Sequence, residues 1–524
     1  MNYENLNEQL KITYDIYKDD EVLLEQLSKY IMVQLPLLMT NKKEKEEKKR
    51  NLETQKNSFI NNFIYSGVEE YFYLRIADIF INYDGEHFKI INGSDLVAKI
   101  LKTINLNKEL RIKKQLIKNT ILKKIKSNPL FGGIPNTYTI QHVLNNLTPI
   151  IFKNKNLTKY FLCVLGDSIL NKQVEVKHYI NSCELVKFVG DTLYDYFKNT
   201  IKINKTITNN LSCDTKIESI RLINLNSNNT VTNYCKNFID KYILDIFVVA
   251  VHYSNRYSNS ENFLKNSLKS KKLKNYIGYF ENNTTENIFT TYFDKNFTKI
   301  DNVEGISKNE AYYLWINYLR ELEVPDFLCF NNFVSLMKKR DVNYSEDKCK
   351  FVNIVSNFKF IKTFRQFSQD TITTGVNIDD EYEIGELIDL IKEWSTENNY
   401  LFESINEQTL LSMFRHILNI ESLNNKTVKN IRCELWDKMV NMKEVLEEVF
   451  DEYCILEVNE DKSIYSLYKD YCNKATTRCK IRVVSKHYFI KYINKVIPEE
   501  FLNNKCISKN YWIKKSLNTS CSVP

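Results

Sequence analysis

The chain has 524 residues, of which 43% are hydrophobic, 13% aromatic and 26% charged, and its formal net charge is +8. This hydrophobic content is sufficient for buried cores and excludes a globally disordered protein. The charge is unevenly distributed, because residues 462–524 contain 13 Lys/Arg and 3 Asp/Glu whereas residues 379–461 contain 7 and 21. The net charge of +10 at 462–524 predicts a polyanionic partner, with nucleic acid as the first candidate.

The lack of a recognisable targeting signal and the pattern of cysteines predict an intracellular protein without a membrane partner. Met1–Leu10 lacks a basic region followed by an apolar one, so we expect no secretory signal peptide. The most apolar stretch, Ile243–Val251, contains Asp245 and is much shorter than the ~20 residues that span a bilayer. The 12 cysteines include no Cys-x-x-Cys pair, and we interpret them as reduced, mostly buried thiols.

The first 135 residues predict helices followed by a hairpin. Residues 1–40 have a helical pattern, and the mixed-charge run 41–57 predicts a solvated helix or a linker, with an interaction arm as the alternative. Phe80–Tyr83 and His87–Ile91 flank Asp84-Gly85, which is a typical hairpin turn.

Residues 101–127 combine a basic composition with a helical apolar face. They contain 9 Lys/Arg and one acidic residue. Lys114 and Lys118 lie off the predicted apolar face, where they are either solvated or in contact with phosphates. The predicted apolar face consists of Leu106, Leu110, Ile117, Ile121 and Ile125.

The middle of the chain predicts mainly helices. Residues 137–204 and 233–300 have helical patterns, with a weak strand signal at Ile217–Leu225 in the polar segment between them. Gly166-Asp167-Ser168 predicts the end of one helix and the start of another. Ser307-x-x-Glu310 is a capping box, and its helix should end before Pro325. We found no repeat at a solenoid period.

Motifs for catalysis, cofactors and metals are missing from the sequence. There is no GxxxxGK[ST] and no GxGxxG, which excludes the usual phosphate-binding loops. The six histidines lie far apart in sequence and form no zinc spacing. Cys472, Cys479, His487 and Cys506 are irregularly spaced, so we expect no zinc site there. We expect no enzymatic activity, no cofactor and no metal, although a degenerate active site would escape a search for motifs.

The basic C-terminal segment predicts a winged-helix-like module. Ile464, Leu467, Tyr468 and Tyr471 form one helical face, and Ser485 is a good N-cap for a second helix. In that second helix, Phe489, Tyr492, Ile493 and Val496 lie on one side and His487, Lys491 and Lys495 on roughly the opposite side. We expect the second helix to enter a major groove and the following strands to contact the backbone.

These patterns define a set of candidate nucleic-acid-binding residues. Lysine-rich contacts without arginine forks favour affinity over sequence specificity. The alternatives are a helical cap with solvated lysines, or a segment that docks onto the acidic region 379–461. The candidates are Arg478, Lys480, Arg482, His487, Lys491, Lys495, Lys509, Lys514 and Lys515, together with Lys114 and Lys118.

Several segments resemble proteins of nucleocytoplasmic large DNA viruses. IYSLYKDYCNK and VVSKHYFIKYI are similar to the C-terminal module of poxvirus-type and giant-virus primase-helicases. IPNTYTIQHVL, YFLCVLGDSIL, VAVHYSNRYSNSENF and AYYLWINYLRELEVPDFL resemble uncharacterised proteins of these viruses. Because the ATP-binding loop is missing, the resemblance implies a nucleic-acid-handling role rather than helicase activity. It also implies a location in the host cytoplasm, at a viral factory, or in the virion.

We therefore predict a mainly α, multi-domain protein with a minor β component. Its predicted function is non-enzymatic nucleic-acid binding, or an adaptor role in viral replication, transcription or packaging, with viral or host proteins as further partners. The alternative is a protein-interaction or structural component that works through its acidic helical region. The predicted domains are 1–58 (helical, with a charged linker), 59–135 (small α/β region with a hairpin), 136–300 (helical, with a short strand segment), 301–461 (helical, acidic in its second half) and 462–524 (basic winged-helix-like module).

Overall fold

Two compact units, Met1–Thr284 (unit 1) and Thr285–Pro524 (unit 2), make up the computed structural model of the chain. The protein is mainly helical with several small sheets, as predicted. The five predicted domain ranges stay a prediction. The structure describes residues 3–65, 69–173, 175–198, 201, 205–212, 215–226, 233–301, 303, 305–375, 380–420, 422–423, 426–455, 460–477, 482–503 and 505–520.

Unit 1 begins with largely exposed helices. A π-helical segment, Tyr30–Gln34, separates the second helix from the third. The third helix includes the mixed-charge run 41–57, so this run is a solvated helix, one of the two forms predicted for it. Its last turns contribute Ile60 and Ile64 to a core. The helices are α1 (Tyr3–Tyr17), α2 (Glu21–Lys29) and α3 (Leu35–Ile64).

A three-stranded antiparallel sheet follows and confirms the predicted hairpin. The order is β1 (Glu70–Leu74), β2 (Ile79–Tyr83), β3 (Phe88–Ile91), and the β2–β3 turn contains Gly85 with φ of 96°. Helices α4 (Gly93–Asn105) and α5 (Lys114–Lys126) pack beside it. Leu110, Ile117, Ile121 and Ile125 are buried as predicted. Leu106, in contrast, is 83% exposed, because it caps α4 and lies outside both helices.

The rest of unit 1 is a helical core with one small parallel sheet, in the order β5-β4-β6. Strand β4 corrects the prediction that 137–204 is helical throughout, whereas β6 confirms the strand signal at Ile217–Leu225. The elements are α6 (Thr137–Leu147), α7 (Lys155–Ile169), β4 (Lys177–Ile180), α8 (Cys183–Phe197), β5 (Ile207–Thr208), β6 (Ile220–Ile223), α9 (Asn233–Arg256), α10 (Ser260–Asn262), α11 (Lys271–Ile277) and α12 (Tyr279–Asn282).

The Gly166-Asp167-Ser168 prediction is wrong, because all three residues lie inside α7 and are buried. Gly166 permits close helix packing, since a Cβ there would lie 2.2 Å from the Ala250 carbonyl oxygen in α9. The buried Asp167 carboxylate accepts hydrogen bonds from the Ser254 hydroxyl at 2.6 Å and the Ser260 amide at 2.7 Å. These residues therefore fasten α7 to α9 and to the segment that follows it.

Unit 2 contains three copies of one topology: a helix, a strand, two helices and a hairpin. In each copy the last strand of the hairpin lies in the middle of a three-stranded antiparallel sheet. The strand orders are β8 (Ile306–Ser307), β10 (Lys350–Phe351), β9 (Tyr344–Ser345); β13 (Glu381–Glu383), β15 (Thr427–Lys429), β14 (Ser422–Leu423); and β17 (Lys462–Ser463), β19 (Cys506–Ile507), β18 (Leu502–Asn503). We call these copies the first (285–356), second (360–433) and third (438–520) repeats. In each repeat, the strand of the three-stranded sheet that comes first in the chain runs directly into the next helix.

The first repeat confirms the predicted capping box at Ser307 and Glu310. Helix α14 ends at Glu321, before Pro325, as predicted. Strands β7 and β11 pair with each other outside the repeated sheet. The elements are α13 (Thr285–Asn296), β7 (Phe297–Lys299), β8 (Ile306–Ser307), α14 (Lys308–Glu321), α15 (Phe330–Lys339), β9 (Tyr344–Ser345), β10 (Lys350–Phe351) and β11 (Ile354–Ser356).

The second repeat resembles the first in having a further pair of strands outside the repeated sheet, β12 with β16. The third repeat differs from the first two in ending with a helix. The elements are α16 (Phe360–Thr371), β12 (Ile372–Thr374), β13 (Glu381–Glu383), α17 (Ile384–Glu397), α18 (Glu407–Ile417), β14 (Ser422–Leu423), β15 (Thr427–Lys429), β16 (Ile431–Cys433), α19 (Lys438–Ile455), β17 (Lys462–Ser463), α20 (Ile464–Thr476), α21 (Lys486–Val496), β18 (Leu502–Asn503), β19 (Cys506–Ile507) and α22 (Lys509–Ser520).

Candidate nucleic-acid interface

Helix α21 of the third repeat carries three of the predicted site residues. Ser485 is the N-cap of this helix, as predicted, and its hydroxyl accepts a hydrogen bond from the Tyr488 amide. Phe489 and Ile493 are buried on one side. On the other side His487 and Lys495 are exposed, whereas Lys491 is half-buried. The helix therefore presents a basic face, as the periodicity predicts.

Part of this basic charge is paired with acidic residues of the second repeat. The Lys491 ammonium lies 3.5 Å from the Glu381 carboxylate, and Arg482 forms an ion pair with Glu393. The Arg482 guanidinium also lies 5.8 Å from the centre of the Trp436 ring. Docking onto the acidic region, one of the alternatives from the sequence, thus occurs at two of the predicted contacts.

The predicted phosphate-contacting lysines that follow α21 in the chain lie on a helix. The prediction that they lie on strands is therefore wrong. Lys509, Lys514 and Lys515 lie on α22. This segment is helical because Trp512 packs against Phe450 of α19, with ring centres 5.3 Å apart. Lys509 is exposed, Lys514 lies 3.8 Å from Glu500, and Lys515 lies over Phe450 at 4.2 Å.

The four remaining predicted residues are Arg478, Lys480, Lys114 and Lys118. Arg478 and Lys480 lie outside the described residues. Lys114 and Lys118 lie on α5, in unit 1, with Lys114 exposed and Lys118 half-buried.

A polar face that the sequence analysis missed lies on α15, the second helix of the first repeat. Phe333 and Met337 are buried, whereas Asn331, Ser335 and Lys338 are exposed at helical spacing. The corresponding helix of the second repeat, α18, has a run of five buried residues and packs against α14. In the sequence, the run Lys338-Lys339-Arg340 indicates a basic segment. Only the repeated topology places this run at the end of the second helix of a repeat.

A second missed feature lies in unit 1, where His87, His142 and Asp245 converge. The Asp245 carboxylate lies 2.7 Å from Nδ1 of His87 and accepts a hydrogen bond from the Phe88 amide at 2.7 Å. Burial raises the pKa of Asp245, and burial together with the neighbouring His87 lowers the pKa of His142. The spacing of residues in the sequence does not reveal this cluster, because its members come from three elements that are far apart in the chain.

Comparisons with protein-family models, with curated proteins and with solved structures found no match. Among the described residues, no helix has the length and apolar character needed to cross a membrane.

Proposed function

We propose that unit 2 binds nucleic acid through winged-helix-like modules, and that the protein works as a non-enzymatic nucleic-acid-binding or adaptor protein in viral replication, transcription or packaging. The observation that carries this proposal is the threefold recurrence of the helix–strand–helix–helix–hairpin order in unit 2. In helix-turn-helix proteins the second helix of such a pair enters the major groove.

The exposed faces of α15 and α21 support different kinds of contact. On α21, His487 and Lys495 are suited to phosphates, which provide affinity without sequence information. On α15, Asn331 and Ser335 accompany Lys338, and an asparagine amide can pair with the edge of an adenine. Since α18 has five consecutive buried residues and packs against α14, we assign binding to the first and third repeats and a connecting role to the second.

Salt-dependent binding by the full-length protein tests this proposal. Fluorescence anisotropy with labelled duplex DNA, single-stranded DNA and duplex RNA should show affinity that falls steeply between ~50 and ~200 mM salt, as counterions are released. Alanine at 487, 491 and 495 should weaken binding and lower the salt slope by about one per lost phosphate contact. Alanine at 331, 335 and 338 should weaken binding independently.

The matched control is Lys42→Ala with Lys43→Ala, which removes two positive charges from the exposed part of α3. This variant should bind like the wild type. Binding that is absent at low salt, or equal in the wild type and both triple variants, would contradict the proposal. Capture of a stable protein partner without nucleic acid would favour the interaction or structural role instead.

A further inference from the structure

Three side chains from separate elements of unit 1 form a compact donor set. His87 precedes β3, His142 lies on α6, and Asp245 lies on α9. Each offers one ligand atom, and these atoms all lie within 4.8 Å of one another. Two imidazoles and one carboxylate are a set that divalent transition metals bind in proteins.

The orientation of Asp245 is set by the backbone of the hairpin. Its side chain is 0% exposed. Oδ1 accepts the hydrogen bond from the Phe88 amide, which leaves Oδ2 directed toward His87. A ligand carboxylate held by a hydrogen bond in this way is already oriented before an ion binds.

His142 provides the observation that points to a ligand. Its Nδ1 atom is buried and has no hydrogen-bond partner among the described residues. A buried polar atom without a partner is unfavourable, because it has lost its hydrogen bonds to water, and coordination of an ion would satisfy it. Four aromatic rings of the described residues lie around the His142 imidazole, with centre-to-centre distances of 4.6 Å to His87, 4.6 Å to Tyr242, 5.7 Å to Phe238 and 6.2 Å to Tyr138.

A kink in α9 shapes the wall of this cluster. Tyr242 departs from helical geometry, with φ of −118° and ψ of 23°, three residues before Asp245. Its ring lies against both histidines, at 4.8 Å from His87 and 4.6 Å from His142. The kink thus brings an aromatic ring and a carboxylate from one helix to the same two imidazoles.

We propose that His87, His142 and Asp245 bind one divalent transition-metal ion, with Zn²⁺ as the first candidate. Bonds of ~2.0–2.2 Å to a tetrahedral ion place its ligand atoms roughly 3.4 Å apart. Separations of up to 4.8 Å must therefore shorten by as much as about 1.4 Å, whereas the 2.7 Å contact between His87 and Asp245 must lengthen by about 0.7 Å. Three protein ligands leave a fourth position for water or another small ligand. The rival interpretation is a His87–Asp245 hydrogen bond that only fastens the hairpin to α9.

Cobalt binding to the full-length protein tests the proposal, because Co²⁺ is a visible probe of zinc sites. After metal is removed with a chelator, Co²⁺ should bind with a stoichiometry near one and give visible absorption bands without intense thiolate charge-transfer bands. Zn²⁺ should displace it and raise the thermal unfolding temperature.

Two substitutions and a control make the outcome specific. His142→Phe keeps an aromatic ring and removes the unpartnered nitrogen, so the metal-free protein should stay folded while metal affinity falls at least ~10-fold. Asp245→Asn keeps an acceptor for the Phe88 amide and should also weaken binding. His252→Phe, on α9 but outside the cluster, should bind like the wild type.

Failure to bind Co²⁺ or Zn²⁺ at micromolar concentration would overturn the proposal. So would equal affinity in the wild type and the His142→Phe variant, or a thiolate-type cobalt spectrum that neither substitution changes. These outcomes are independent of nucleic-acid binding, since the proposed interface lies in unit 2.

Discussion

The Tyr488 hydroxyl of the third repeat donates a 2.7 Å hydrogen bond to Oδ1 of Asp380 in the second repeat. Tyr488 is 5% exposed and Asp380 is 3% exposed. The other carboxylate oxygen, Oδ2, is buried without a partner in the described part of the chain. Burial raises the pKa of Asp380 despite this hydrogen bond. The acidic and basic segments of the sequence therefore meet at a buried polar contact within unit 2.

Asp380→Asn should stabilise unit 2 at neutral pH. The pKa of Asp380 is higher in the folded protein than in the unfolded chain, so the folded protein prefers the protonated carboxyl. The wild type is therefore most stable at low pH, and it loses this part of its stability as the pH rises through the folded pKa. The amide can still accept the hydrogen bond from Tyr488. Urea unfolding between pH 4 and 8 should give similar free energies of unfolding for the wild type and the variant at pH 4. As the pH rises, the variant should become increasingly more stable than the wild type. A difference that does not change with pH would contradict this assignment.

Tyr488→Phe should destabilise the protein by about 1–3 kcal/mol, because it removes a donor from a buried carboxylate. Tyr492→Phe on the same helix is the matched control, since Tyr492 is half-buried and the structure assigns it no hydrogen bond among the described residues. Denaturant unfolding at pH 7 compares the two variants. Equal losses would mean that the Tyr488–Asp380 hydrogen bond contributes nothing specific.

Lys438→Met should be among the more damaging single substitutions in unit 2. The Lys438 side chain is 1% exposed, donates to the Glu381 carbonyl at 3.0 Å and forms an ion pair with Glu386. Removing one partner of a buried ion pair typically costs about 3–5 kcal/mol, because the other charge stays buried. Lys443→Met, in an exposed pair with Glu447, should cost less than about 1 kcal/mol. Thermal and urea unfolding would measure both, and comparable losses would refute the distinction.

Gly166→Ala should destabilise unit 1 by about 1–3 kcal/mol through overpacking. The added Cβ would lie 2.2 Å from the Ala250 carbonyl oxygen, and backbone atoms must move to accommodate it. Gly133→Ala is the control, since a Cβ there meets no described atom within 4 Å. If unfolding shows the two variants to be equally stable, α7 and α9 do not depend on this close approach.

Glu381→Gln should strengthen nucleic-acid binding, provided that α21 is the interface. The substitution releases Lys491 from a carboxylate 3.5 Å away and removes negative charge beside the basic face. The Lys491 side chain is 39% exposed, although that of Glu381 is only 7% exposed. A pair with one solvated partner is worth about 1 kcal/mol, so we expect an increase of about 5-fold at low salt. Glu397→Gln, at the exposed end of α17, should have a smaller effect. Weaker binding by Glu381→Gln would argue against contact through Lys491.

Local features of the fold were predictable because a few neighbouring residues determine them. The Asp84-Gly85 turn needs a residue that tolerates positive φ, and the Ser307–Glu310 capping box closes its hydrogen bonds within one helical turn. The buried face of α5, formed by Ile117, Ile121 and Ile125, follows from its helical period. Leu106 was predicted to share this face, but it is the C-cap of α4 and is exposed. The sequence predicts strands at Lys509, Lys514 and Lys515 because a winged helix-turn-helix places strands after its second helix. The segment is instead a helix, in which Trp512 packs against Phe450.

The sequence by itself determined the mainly helical class, the hairpin, the helix caps at Ser307 and Ser485 and the opposition of acidic and basic segments. Only the tertiary structure decided the threefold repeat, whose copies share hydrogen-bonding order rather than a visible sequence period. Only packing could bring His87 to Asp245, which lies 158 residues away in sequence, or pair Lys491 with Glu381. Such contacts depend on how whole helices and sheets bury their apolar faces, which no local residue pattern encodes.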